Sequence, residues 1–228
     1  KICKILTQAS KYKKNLINLL SSTSNTLTSF INFKMRGEGL GELSFNKKIG
    51  KYHKKFEIYP LGDLITNAQY GLSKSVSYEG KYPIFRMTNL VDGKTVCNDI
   101  KYVDLDEKEI SSYLLQKGDV LFNRTNSYEL VGKTGIFNLD GDYTFASYLI
   151  RIITNKKLLL PEYLCAFLRN PIGRRQIMSY ATRGVSQTNV NASNLKKILI
   201  PLPPISYQRG FIDALKNFDE TIFYAKKQ

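Results

Sequence analysis

Residues Lys117 to Ile136 read KGDVLFNRTNSYELVGKTGI. Gly118-Asp119 makes a turn, Val120-Leu121-Phe122 is a short apolar run fit for a strand, and Asn123-Arg124-Thr125-Asn126-Ser127 is an unbroken row of hydrogen-bonding side chains. Val131-Gly132-Lys133 then returns the chain to a second apolar stretch, so the polar row sits on a connection between two rigid elements. Asn and Arg carry the two-pronged geometry that reads adenine and guanine edges, while Ser, Thr and Lys suit phosphates. The pattern predicts a loop that touches DNA; an ordinary solvated hairpin is the plainer reading of the same residues.

A second row lies at Arg183-Gly184-Val185-Ser186-Gln187-Thr188-Asn189-Val190-Asn191. Alternation with Val185 and Val190 predicts an extended segment whose polar side chains share one exposed surface. Within the two rows Asn123, Arg124, Gln187 and Asn189 are the base-reading types; Arg183 among them, and Lys74, Arg86 and Lys133 outside them, suit phosphates. Tyr70, Asn89, Thr125, Asn126, Ser127 and Ser186 complete the candidate set. Arg86 has Asp119 as an alternative partner inside the domain, and Phe85 and Phe122 read as core.

The chain has 228 residues, 43% of them hydrophobic and 23% charged, the composition of a folded protein with room for a full core. It is strongly basic, with 34 Lys+Arg against 19 Asp+Glu for a formal +15, which favours a polyanionic partner. Residues 1–57 hold twelve Lys/Arg against three Glu, so +9 of that charge lies there. Cys3, Cys97 and Cys165 have no paired spacing, which fits a reducing, cytoplasmic setting and no zinc site. His53 is the single histidine, which argues against catalysis needing two imidazoles. No apolar run approaches the roughly 18 residues of a membrane span. A chain that begins at Lys1 is read as processed or as a piece of something longer.

Read in order, Ile2, Ile5, Ala9, Tyr12, Leu16 and Leu19 step by three and four, the seam of a helix that pairs with another helix. Thr23, Thr26, Phe30 and Phe33 continue it, with a break expected near Ser21. Residues 34–55, with four glycines among six lysines, read as a flexible basic linker. From Phe56 to Pro204 strands and short helices mix: strands at Tyr82–Met87, Val120–Phe122, Ala146–Ile153 and Ile198–Leu202, a tight turn on Asp92-Gly93, a hairpin on Asp140-Gly141-Asp142, and helices from Pro161 and Pro171. At the end Phe211, Leu215, Phe218, Ile222 and Ala225 step by four and three again. The expected fold is α+β: a mixed domain over 56–204, with terminal helices over 1–33 and 205–228 packed antiparallel as a coiled-coil stalk, within the chain or with a second copy.

Several of these residues are similar to the DNA-specificity subunits of type I restriction-modification enzymes. The resemblance rests on Pro60-Leu61-Gly62-Asp63, Tyr70-Gly71, Pro83 to Asn89, Gly118 to Arg124, Val131-Gly132-Lys133, Leu160 to Leu164, Gly184 to Gln187, Asn189 and Ile200 to Pro204, and Lys11 to Leu20 resembles the end of a helix in that family. It implies a target recognition domain for one half of a bipartite DNA site, beside helices that act as spacer and dock methyltransferase subunits and, through them, the restriction subunit. It implies no cofactor and no catalysis by the chain itself. Where the family normally carries Glu-Gln after Pro203-Pro204, Tyr207-Gln208 stands here.

Other classes fit less well. A methyltransferase needs an amide or carboxylate before Pro-Pro-aromatic, which Leu202-Pro203-Pro204-Ile205 lacks. A metal-dependent nuclease could use Asp106-Glu107-Lys108 with Asp92 or Asp99, a lettering common by chance in a lysine-rich chain. A helical interaction module with non-specific nucleic-acid affinity would bind duplexes weakly and regardless of sequence. RNA binding would call for aromatic pairs on a strand face.

Overall fold

The computed structural model describes residues 25–185 and 187–227, with side chains placed through Asn217, and mixes strands and helices along that length. A helix over residues 25–36 (α1) leads to β1 (Leu43–Asn46), β2 (Gly50–His53), β3 (Glu57–Pro60), a 3-10 turn (Leu61–Leu64) and β4 (Ile65–Tyr70). Then come β5 (Tyr82–Phe85), β6 (Leu90–Val91), β7 (Gly93–Thr95), β8 (Lys101–Val103) and α2 (Glu107–Ser111). They are followed by β9 (Val120–Asn123), β10 (Thr125–Asn126), β11 (Thr134–Ile136), β12 (Thr144–Phe145) and β13 (Leu149–Thr154). Helices α3 (Pro161–Arg169) and α4 (Pro171–Ser179) precede β14 (Thr182–Arg183), β15 (Thr188–Asn189), α5 (Ala192–Leu195), β16 (Leu199–Leu202) and α6 (Ile205–Lys227).

The two apolar runs that read as buried strands are central. A six-stranded sheet has the order β4-β13-β9-β11-β7-β6, antiparallel except where β11 runs beside β7. Both faces of β9 and β13 are covered, which is why their sequences are nearly continuous apolar runs. Val120, Phe122, Ile150 and Ile152 join Tyr163, Leu164, Phe167 and Leu168 of α3 in the main core. Leu121 and Leu149 turn the other way, into a cluster with Phe85, Phe137 and Phe145, as the two-residue strand period requires. Phe85 there stacks on Tyr143 with centroids 5.2 Å apart. Burying each such side chain contributes about 1.5–3 kcal/mol.

One buried polar group is an acid held beside a base. Arg151 lies 2.7 Å from Asp119, whose carboxylate also accepts from the Gln116 N–H. Burial pushes the Asp119 carboxyl up from its ordinary value, against the pull of those two partners. Arg86 therefore does not pair with Asp119; it lies 2.8 Å from Asp99. A 3-10 turn at Met87–Asn89 is fixed by Asn89, which is fully buried. The turn at Asp92-Gly93 closes the β6–β7 hairpin as expected.

Residues 34–55 are not a flexible linker: they carry the β1–β2 hairpin, and Met35, Ile49 and His53 are buried. Gly37 sits at φ +65°, and a Cβ there would lie 2.6 Å from the His53 Cβ and 2.7 Å from the Phe56 ring, so its glycine serves a close approach. Asp140-Gly141-Asp142 is not a hairpin either. The strand after it, β12, runs parallel to β5 in a three-stranded sheet β12-β5-β8, so the segment crosses from one sheet to another.

Strand β16 pairs with β3, joining the segment after the helices to the start of the domain. Prolines open α3 and α4 at their first turns, and Asn170 caps α4 by accepting from the Ile172 N–H. Just beyond β16, the fully buried Gln208 donates to the Leu158 and Pro203 carbonyls and accepts from the Leu160 N–H. It fastens α6 to the start of α3. The Tyr207 hydroxyl donates to the Lys34 carbonyl of α1, 2.8 Å away. Phe211, expected to pair helices, lies instead in the main core with its ring 5.4 Å from that of Tyr163, and Leu215 is half-buried against the same core. Ile5, Tyr12, Leu16 and Leu19, the break expected near Ser21, and the side chains of Phe218 and Ile222 lie outside what is described.

Candidate nucleic-acid interface

Fifty-odd residues separate the two polar rows, yet they meet in one small sheet ordered β10-β15-β14. Thr125 pairs with Asn189 and Asn126 with Thr188, while Thr182 and Arg183 pair with Asn189 and Thr188 on the other side. The second row is therefore a hairpin and not the single extended segment the alternation suggested. Its turn is closed by the Gly184 N–H donating to the Gln187 carbonyl at 2.7 Å. Val190, at its inner end, is fully buried, and Val185, at its tip, is fully exposed.

The rows divide into an inner and an outer set. Asn123 ends a strand whose four residues are all buried, and its amide donates inward toward the Leu130 carbonyl, so it cannot reach a base edge. Asn89 is likewise withdrawn: it accepts from the Arg86 N–H and donates to the Val96 and Asn98 carbonyls. Thr125 is buried and accepts from the Asn189 amide at 2.7 Å. The Asn189 carbonyl oxygen in turn accepts from Arg124 at 3.3 Å. Arg124 lies over the Tyr70 ring at 4.8 Å, and the Tyr70 hydroxyl accepts from the Ala192 N–H. Tyr70, Arg124, Thr125 and Asn189 thus form a connected frame under the small sheet. Asn126 accepts from the Ser127 N–H in a tight local turn, both residues half-buried.

The outer set is Lys133, Arg183 and Gln187, all exposed. Lys74 is exposed but 3.0 Å from Glu109. Arg86 is held by Asp99, whose carboxyl that contact keeps below its ordinary range. Ser186 lies outside the described residues.

Two residues of the site carried no mark in the polar rows. Tyr128 directly follows Ser127, and its exposed ring lies 4.0 Å beneath the Arg183 guanidinium. An aromatic residue inside a polar loop is the signal that could have found it. Arg174 of α4 donates to the carbonyls of Tyr128 (2.6 Å), Glu129 (3.2 Å) and Val131, holding the loop after β10 by three backbone groups. Burial pulls its guanidinium below the ordinary value, with Tyr128 and Glu129 opposing. Nothing in a helical repeat distinguishes such an arginine from a solvated one.

The carboxylates of the nuclease reading are employed otherwise: Asp106 caps α2, Asp99 binds Arg86, and Asp92 lies near Arg169. No three His, Cys, Asp or Glu side chains converge to hold a metal ion among the described residues. Among those residues, no helix is long and apolar enough to cross a membrane.

Residues 53–228 match the family model of the type I restriction modification DNA specificity domain. The putative type I restriction enzyme MjaX specificity subunit of Methanocaldococcus jannaschii is 32% identical over 192 residues, covering 82% of this chain and 45% of the relative. The EcoKI specificity subunit of Escherichia coli is 29% identical over 164 residues, 70% of this chain and 35% of the relative. The crystal structure of the HsdS subunit from Thermoanaerobacter tengcongensis covers 98% of this chain and 50% of its own, with TM-score 0.58 and 16% identity, a likeness of fold. The chain spans half or less of the length of these relatives.

Proposed function

The chain belongs to the type I restriction-modification DNA specificity family, and from that premise we propose that it reads one half of a bipartite site in duplex DNA. The observation that carries this reading is the small sheet, which gathers two distant polar rows side by side, the second of them as an outward hairpin. Arg183 and Gln187 are its base readers, with Val185 placed for the methyl group of a thymine. Lys133, and Lys74 once released from Glu109, hold phosphates; Tyr70, Arg124, Thr125 and Asn189 keep the hairpin rigid so that little order is lost on binding. Asn126 and Ser127 shape the adjoining turn.

The recognition domain runs to 204 and takes in the packed residues 34–55 in this reading, and the terminal helices are the stalk. The spacing of Ile5, Tyr12, Leu16 and Leu19, and of Phe218 and Ile222, is what supports a stalk, formed in this chain or with a second copy. The helices dock methyltransferase subunits, and through them the restriction subunit, in the cytoplasm. The chain supplies address and no chemistry. Selecting random duplexes with the chain and its methyltransferase partner tests the proposal: one short enriched motif is expected, and a bound pool with no common motif refutes it.

A further inference from the structure

The β1–β2 hairpin concentrates charge that the polar rows do not account for. Between Leu43 and Lys55 the sequence has five lysines and no acidic residue. Lys47, Lys48, Lys51, Lys54 and Lys55 are all exposed. Glu42 neutralises Lys54 at 2.9 Å, and no carboxylate pairs with Lys47, Lys51 or Lys55 among the described residues. The charges are held in place. Ile49 in the turn is fully buried, and Arg175 donates to the Lys48 and Ile49 carbonyls, both at 3.4 Å.

Position gives this charge its meaning. The Lys48 ammonium donates to the Tyr180 hydroxyl at 2.6 Å, and the Tyr180 carbonyl accepts from the Asn194 amide. Tyr180 precedes β14 by two residues and Asn194 follows β15 by five, so the tip of the basic hairpin touches one root of the reading hairpin, and that root is bonded to the other. Arg183 is three steps along the chain from Tyr180, a span of no more than roughly 11 Å. The major groove is about 12 Å wide, so a reading hairpin in the groove brings the basic tip to the phosphates along its wall.

We propose that the β1–β2 hairpin is a second DNA contact, a sequence-independent grip on the sugar-phosphate backbone beside the half-site, made by Lys47 and Lys51. This rests on the DNA-reading assignment above and extends it to a segment outside both polar rows. The alternative occupant is a protein partner, drawn by the exposed Leu43 and by Phe45, which is 73% exposed.

The test measures binding of the full chain to a duplex carrying the selected motif and to a scrambled duplex, across a salt series. Lys47→Glu/Lys51→Glu should weaken binding to both duplexes by the same factor. It should also make the slope of log K against log salt shallower by about 1.8, since each lost phosphate contact is worth roughly 0.9. The ratio of affinities for the two duplexes, and the melting temperature, should stay as in the parent. Unchanged affinity and slope overturn the proposal. So does the outcome in which only Phe45→Ser acts, by lowering capture of the methyltransferase subunits. If the parent chain prefers the motif but the lysine variant matches it, the grip alone fails; if the parent binds neither duplex, the DNA reading fails with it.

Discussion

Arg174→Ala should loosen the loop after β10 without unfolding the domain. The guanidinium donates to three backbone carbonyls. A hydrogen bond to a charged group contributes about 1.5–3 kcal/mol, but the Tyr128 and Glu129 carbonyls are at the surface and regain water once the side chain is gone. Only the Val131 carbonyl, beside a fully buried residue, is left short of a partner. The net loss is then about 2–4 kcal/mol, confined to the loop. Its amides report directly, because the Val131 N–H donates to Ser127 and the Gly132 N–H to Asn123 within this turn. Hydrogen exchange at those two amides should speed up about 30- to 700-fold, while amides of Ile150 and Ile152 in the central sheet change far less. Arg174→Lys should recover only part of the protection, since one ammonium cannot span three acceptors. Loop exchange within threefold of the parent, or equal acceleration in the loop and in β13, would refute the clamp.

Three further outcomes follow from the same geometry. Gln187→Ala and Arg183→Ala should each relax preference at one base position by about 1–3 kcal/mol in competition binding; uniform weakening across all sequences would move them to phosphates. Asn89→Ala should cost about 2–4 kcal/mol in urea unfolding because it strips three inward hydrogen bonds from a fully buried site, and the folded variant should keep the parent's sequence preference. Gly173→Ala should destabilise by about 3 kcal/mol or more in thermal melting. A Cβ there would sit 2.1 Å from the Phe167 carbonyl oxygen, and backbone of α3 would have to move.

Much of the frame was legible because it is local. Val120-Leu121-Phe122 and the run into Ile153 announce buried strands by composition, and Pro161 and Pro171 mark helix starts within a residue. The two polar rows were legible as rows, but their union rests on pairing Thr125 with Asn189 across 64 residues, a register no local pattern encodes. The division into inner and outer residues was hidden for the same reason. Asn123 looks like its neighbours until β9 is seen to continue through it, and Arg124 and Asn189 satisfy each other only after the sheet forms. Residues 34–55 misled through composition, since glycine and lysine suggest freedom when several glycines here serve tight turns. Phe211 kept the spacing of a helix seam while facing the domain, because a core and a partner helix ask the same of a stripe.

Gln208 sits where the last helix leaves the domain, and leverage follows from that. The 23 residues from Ile205 to Lys227 make a rod of about 35 Å at the standard helical rise. One degree of tilt at its root sweeps the far end through roughly 0.6 Å on that length. Three hydrogen bonds from a single buried amide, together with Phe211 and Ile212 in the core, therefore set the angle at which the rod leaves the domain. Gln208→Leu would keep the volume but strip those three bonds, leaving the packing of Phe211 and Ile212 alone to hold the rod's bearing.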